Sequence, residues 1–304
     1  MKHVLYKKDC IELLKGMEDN SVDIAVLDPP YFAIVKDDWD NQWKSEQEYL
    51  EWCAEWTKEA TRVLKPGKPL YVWGTTKTDT FLRYKLDVLN EQPELVYQNW
   101  IIWSYDWGGR TKKKFARKHE DLLVYSKGKN MDFFADQVLV ERAVKKNMNI
   151  ERKINLLKKF QAQPDVAKWT DKDIHSWKKY NYDKKSNTDL LNELNSQQSK
   201  SISFAKGKIP TDVWQKNNHT TSKEYAGWHP TQKPIELLQR IIKGHTKEGD
   251  VVLDCFSGSG STMIAAANCN RSFIGSELDS EYCEKSVDRY NKLVDEDKRN
   301  LIIK

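Results

Sequence analysis

The chain has 304 residues, 39% hydrophobic and 31% charged, enough to bury one large α/β core with an insert and too apolar for disorder throughout. No run approaches the ~18 apolar residues of a membrane span, and Met1-Lys2-His3-Val4 opens no leader-like apolar stretch, so a cytoplasmic protein is expected. Net charge is +5, yet residues 111–230 hold 25 Lys+Arg against 14 Asp+Glu, a basic middle that suits either a polyanion or a solvated Lys-rich surface.

Residues 4–6 read as a short strand and 10–16 as a helix. The apolar run 22–27 breaks off at Asp28-Pro29-Pro30-Tyr31, the pattern of a buried parallel strand whose carboxyl end opens into a loop. Ser45 with Glu48 three residues on forms a capping box, and Tyr49, Cys53, Trp56, Ala60 and Val63 recur at helical spacing to the stop at Lys65-Pro66-Gly67. Strands follow at 70–73, 96–103 and 122–125 around a helix at 78–89, and the last two strands pair as a hairpin.

From 132 to 226 strand alternation disappears. Helices are expected at 150–160 and 173–180, whereas the Asn-, Ser-, Lys- and Gln-rich stretch 181–200 is expected to be partly mobile. The α/β pattern resumes at His229-Pro230-Thr231-Gln232-Lys233-Pro234. A helix then ends at Gly244, followed by a strand at 250–256, a helix at 261–268, a strand at 273–277 and a helix at 280–294.

The five cysteines (10, 53, 255, 269 and 283) lack metal-site or redox-pair spacing, so buried free thiols and no metal are expected. Twelve tryptophans form local groups that belong mostly to the core, while exposed ones could stack on bases.

Two motifs carry chemistry. Asp254-Cys255-Phe256-Ser257-Gly258-Ser259-Gly260-Ser261-Thr262 lies between a strand and a helix, where glycines let a ligand approach backbone N–H groups. A phosphate loop would need Gly-Lys-Ser/Thr, and a dinucleotide fingerprint would need glycine at Met263. Glu277, 19 residues after Gly258 at the next strand end, can accept hydrogen bonds from both ribose hydroxyls of a nucleoside, with Asp279 its minor rival. In the second motif, the Asp28 carboxylate and Pro29 carbonyl can each accept one hydrogen of an exocyclic amine. Pro30 helps fix them, and Tyr31 offers a stacking ring.

Taken in order, Asp28-Pro29-Pro30-Tyr31, Arg62-Val63-Leu64-Lys65-Pro66-Gly67, His119-Glu120, His229 to Pro234 and the Gly258/Gly260 turn resemble the S-adenosylmethionine-dependent DNA amino-methyltransferases of β-type motif order. The resemblance covers about 4–131 and 207–292. It implies a doubly wound, mostly parallel seven-stranded α/β sheet, circularly permuted, with a helical insert. Residues 1–131 would be the catalytic half, 132–226 a target-recognition insert and 227–304 the cofactor half. S-adenosyl-L-methionine would be held by Asp9, Thr231, Lys233, Asp254, Phe256, Gly258, Gly260 and Glu277, although Asp9 serves equally as a helix cap.

Double-stranded DNA is the implied partner. Its adenine N6 amine is the target, reached by base flipping, and N4 of cytosine is the alternative. Arg110, Lys112, Lys113, Lys114, Arg117 and Lys118 are expected on phosphates, and Phe115 either steadies the flipped base or anchors its own loop. His119 is expected to be structural. A catalytically silent DNA-binding subunit, a nicotinamide enzyme and an RNA or protein amine substrate fit the motifs less well. The resemblance leaves open a homodimer and a separate restriction endonuclease acting on the same site.

Overall fold

The structure is a computed structural model that describes residues 1–34, 40–106, 113, 115–140, 148–205, 209–216 and 223–304. It divides into two compact units, one formed by Met1–Val138 with Thr211–Lys304 and the other by Leu139–Pro210.

The larger unit is built on β1 (His3–Tyr6), β2 (Ile24–Leu27), β3 (Pro69–Gly74), β4 (Leu95–Ser104), β5 (His119–Lys127), β6 (Val213–Gln215), β7 (Val251–Asp254), β8 (Ser272–Ser276) and β9 (Leu301–Ile303), in the order β6-β4-β5-β3-β2-β7-β8-β1-β9. Among the described residues, nine strands replace the expected seven. The additional β6 and β9 are three-residue edge strands that pair in parallel with β4 and β1. Within this sheet only β5 runs antiparallel to its neighbours, β3 and β4, which bears out the hairpin.

Period-two side-chain alternation sends neighbouring residues of one strand into different cores. Ile24 and Val26 of β2 join Met263, Ile264 and Phe273 in one fully buried cluster, whereas Ala25 and Leu27 join Leu14, Trp56 and Leu70 in another. Burial of each large apolar side chain contributes ~1.5–3 kcal/mol. The second cluster takes in α1 (Cys10–Lys15) and α2 (Glu46–Val63); the first takes in α7 (Ile235–His245), α8 (Ser261–Asn268) and α9 (Ser280–Leu293). At the start of α2, Ser45 Oγ accepts the Glu48 N–H, but Glu48 reaches back to the N–H of Lys44, one residue before the expected partner. The helix expected at 78–89 is α3 (Thr80–Arg83) continued by a wider π turn at Tyr84–Leu89.

The smaller unit contains α4 (Met148–Ala162), α5 (Asp171–Lys179) and α6 (Asn187–Ala205). Its own core includes Leu156, Trp169, Trp177, Tyr182, Leu190 and Leu194. The expectation of partial mobility at 181–200 missed α6: Leu190, Leu194 and Gln197 bury one stripe at helical spacing despite the polar composition around them. Leu139–Pro210 falls inside the 132–226 segment read from sequence as an insert.

Candidate active site

β1, β8, β7 and β2 are adjacent and parallel, so their carboxyl ends meet at one sheet edge. The chain leaves β2 toward β3 on one side and β7 toward β8 on the other, making the β2/β7 junction a topological switch point, where open α/β sheets bind ligands. A cavity of about 490 Å3 lies there, within the ~300–1,000 Å3 of small-molecule sites. Asp9, Asp28, Pro29, Pro30, Tyr31, Thr231, Lys233, Asp254, Phe256, Gly258 and Glu277 all line it. Gly260, just behind, has φ +72° and makes the left-handed entry into α8.

The glycine turn is held from β8. Glu277 Oε2 accepts the Gly258 N–H at 2.7 Å, and its Oε1 accepts the Asp279 N–H at 2.9 Å. Burial pushes the Glu277 carboxyl up, against the opposing pull of those two bonds. Gly258 has φ +46°, and a Cβ there would stand 2.7 Å from His229 Nε2, so the imidazole packs where only glycine leaves room. Burial lowers His229 to about 4, leaving it neutral. Its Nδ1 and Ser257 Oγ are buried without a hydrogen-bond partner among the described residues. Two idle polar atoms beside a glycine turn and a carboxylate fit a nucleoside-type ligand with a polar tail. Phe256 forms one wall, edge-on to Trp52 at 5.8 Å and Trp56 at 5.3 Å between ring centres.

Asp9 caps α1 by accepting the N–H groups of Ile11 and Glu12, and it lines the cavity as well, so both readings of this residue meet in one place. Asp279 caps α9 by accepting from Glu281 and Tyr282. Both bonds end on Oδ1, and Asp279 lines the cavity as well.

Asp254 is buried, and that burial pushes its carboxyl up to about 7 despite bonds from the Thr262 hydroxyl and the Phe256 N–H. A folded-state pKa above the ordinary 3.8 favours folding at low pH, and that contribution is lost as pH rises through about 7. Asp254→Asn is accordingly expected to stabilise the free protein more at pH 8 than at pH 5, by about 1–3 kcal/mol in denaturant unfolding. An equal offset at the two pH values would remove burial as the cause.

At the other end of the cavity, Tyr31 donates its hydroxyl to Asp28 Oδ1 at 2.8 Å, and the Lys233 ammonium lies 2.6 Å from Asp28 Oδ2. Tyr49 donates to the Pro30 carbonyl at 3.0 Å, which fixes the proline pair. β5 enters beside the end of β3 and brings Glu120 to within 3.3 Å of Lys233. Sequence reasoning assigned no role to Glu120. The available signal was a pair of acidic residues, Glu120 and Asp121, directly before the apolar run Leu122–Tyr125 of β5. Trp52, Trp73 and Tyr282 also line the cavity without having been anticipated there.

Of the expected DNA-binding set, Arg110, Lys112 and Lys114 lie outside the described residues. Phe115 is fully exposed. Arg117 donates to the hydroxyls of Thr75 and Thr76 and to the Thr76 carbonyl, tying its segment to the end of β3, and Lys118 donates to the Asp106 carbonyl. All five cysteines are free and buried, as expected.

A doubly wound sheet with a glycine turn, a strand-end carboxylate and an open cavity at its switch point is the α/β architecture that suits a nucleoside-type ligand. The DNA methylase family model N6/N4 matches residues 22–288, and the chain belongs to that family of S-adenosylmethionine-dependent methyltransferases. Type II methyltransferase M.BglII of Bacillus subtilis is 31% identical over 290 residues, covering 92% of this chain, which spans 66% of that protein. DNA adenine methyltransferase YhdJ of Escherichia coli K12 is 30% identical over 286 residues, covering 92% of this chain and 80% of its own. The fold matches TTHA0409 of Thermus thermophilus, complexed with S-adenosyl-L-methionine, at a TM-score of 0.56, 18% identity and coverage of 99% and 97%.

Proposed function

We propose that this chain transfers a methyl group from S-adenosyl-L-methionine to the N6 amine of adenine in duplex DNA. The observation that carries the reading is that Asp28 and Tyr31 open onto the same cavity as the Gly258 turn and Glu277. The methyl donor and the accepting amine can therefore share one cavity.

When bound, the cofactor supplies a methyl group activated on a sulfonium centre. Glu277 would hold the ribose hydroxyls, Phe256 and the 258–260 turn the nucleoside body, Asp9 and Asp254 its surroundings, and Thr231 the methionine end. Asp28 performs the decisive step. The amine nitrogen is a weak nucleophile because its lone pair is delocalised into the ring. By accepting one amine hydrogen on the Asp28 carboxylate and the other on the Pro29 carbonyl, the chain favours a pyramidal nitrogen with a localised lone pair, so catalysis rests on positioning and electrostatics. Asp28 also stands ready to take the proton that the methylated nitrogen sheds.

An adenine within the duplex cannot reach Asp28, so the base must leave the stack and rest on the Tyr31 ring. Phe115, fully exposed, is available to fill the gap left in the duplex. Lys113 and the basic residues beside it in sequence would meet phosphates, giving salt-sensitive affinity. Similarity to a type II enzyme extends the proposal to a restriction endonuclease acting on the same site, and a homodimer is the assembly to test by sedimentation of the DNA-bound protein.

Digestion of unmethylated duplex DNA to nucleosides after incubation with the chain and cofactor, followed by mass spectrometry, tests the reading. N6-methyl-2′-deoxyadenosine is expected. N4-methyl-2′-deoxycytidine would shift the target to the family's other amine, and no methylated nucleoside despite cofactor binding would leave a DNA-binding subunit.

A further inference from the structure

Behind Asp28 lies a cluster of one ammonium and two carboxylates. The Lys233 side chain is only 4% exposed. Its Nζ lies 2.6 Å from Asp28 Oδ2, 3.3 Å from Glu120 Oε2 and 3.2 Å from the Thr231 carbonyl, with the rings of Trp73 and Tyr31 centred 5.3 and 5.7 Å away. An ammonium has three hydrogens to donate, and protein oxygens surround this one. Such a group is poorly placed to hold the cofactor as well, the role expected for it from the resemblance.

We propose that Lys233 is a positioning residue that holds the Asp28 carboxylate fixed for the amine, with Glu120 as the second carboxylate paired with Lys233. The inference rests on the methyltransferase reading and deepens it. Burial alone would push the Lys233 ammonium down, but Asp28 and Glu120 outweigh it and hold the ammonium above its ordinary range. Glu120 is pushed up by burial, with Lys233 pulling the other way and Asp28 adding to the rise.

Among the described residues, Lys233 is the cation paired with Asp28. Tyr31 and His229 face Asp28, and both are neutral: burial and the Asp28 charge push the phenol up, while burial pulls the imidazole down to about 4. Asp254 adds a third acid within electrostatic reach of Asp28, and Asp121 and Tyr105 face Glu120. Without Lys233, two carboxylates would share a buried site, and one of them would take a proton.

The test is full-length Lys233→Met, with kcat followed from pH 5.5 to 9 and cofactor affinity measured by calorimetry. The acid limb of kcat is expected to move up by about 1–3 pH units, while cofactor Kd stays within about threefold of the parent. Glu120→Gln combined with Lys233→Met leaves Asp28 as the single charge of the cluster. It should return the limb to within about one unit of the parent, again with cofactor Kd unchanged. Where the single variant fails to fold, the cofactor Kd of the double variant decides whether Lys233 belongs to the cofactor. An unmoved limb in Lys233→Met overturns the proposal, and a cofactor affinity reduced about tenfold or more in either variant overturns it by assigning Lys233 to the cofactor. A parent chain that methylates no DNA sinks the functional reading itself, which separates the two failures.

Discussion

Asp28→Ala is expected to lower kcat by about 10^2–10^4-fold while leaving cofactor Kd within about threefold, because in the proposed reaction the carboxylate would act on the amine and not on the cofactor. The site's geometry makes the split measurable. Asp28 contacts Tyr31 and Lys233, whereas the glycine turn is held separately by Glu277. After truncation Lys233 keeps Glu120 as a counter-charge, so the fold is expected to survive and intact cofactor binding serves as its control. Asp28→Asn keeps the shape and one acceptor oxygen. Its amide must also avoid presenting N–H to the ammonium, so a turnover between those of the parent and the alanine variant is expected. Single-turnover methyl transfer at saturating cofactor is the measurement. Undiminished turnover in Asp28→Ala, or a loss confined to cofactor affinity, removes Asp28 from the chemistry.

Much of this arrangement was legible in the sequence wherever local signals and the fold agree. The helix at 261–268 and the strand before it follow from a glycine turn and an apolar run, and they place Gly258 without further information. Burial of Leu27 and the abrupt Pro29-Pro30 break likewise put Asp28 at a strand end. Features created by distant neighbours were hidden. β6 and β9, three residues each, exist because β4 and β1 offer them an edge, and three residues carry too little alternation to announce a strand. The α6 stripe of Leu190, Leu194 and Gln197 was masked by its polar surroundings. Lys233 and Asp28 lie 205 positions apart, and their ion pair depends on the meeting of β2 with the segment before α7. Sequence reasoning found both residues and had no means of finding the bond between them.

Glu277→Ala should have the largest effect on cofactor binding, a loss of about 2–4 kcal/mol, or roughly 30- to 1,000-fold in Kd by calorimetry. Two losses combine. On the proposed function the ribose hydroxyls would lose a charged acceptor, and the N–H groups of Gly258 and Asp279 lose the carboxylate that holds the turn. Glu277→Gln retains one acceptor oxygen and should fall between the parent and the alanine variant. Glu277→Asp keeps the charge but is one methylene too short to bridge both N–H groups, so charge without reach is also expected to be inadequate. At saturating cofactor, turnover should recover in all three, since Asp28 and its partners stay in place. Asp279→Ala supplies the contrast: its carboxylate caps α9, so its removal should cost stability of about 0.5–2 kcal/mol and leave cofactor Kd nearly unchanged. Were the affinities to respond the other way round, Asp279 would be the ribose ligand and Glu277 only the brace of the glycine turn.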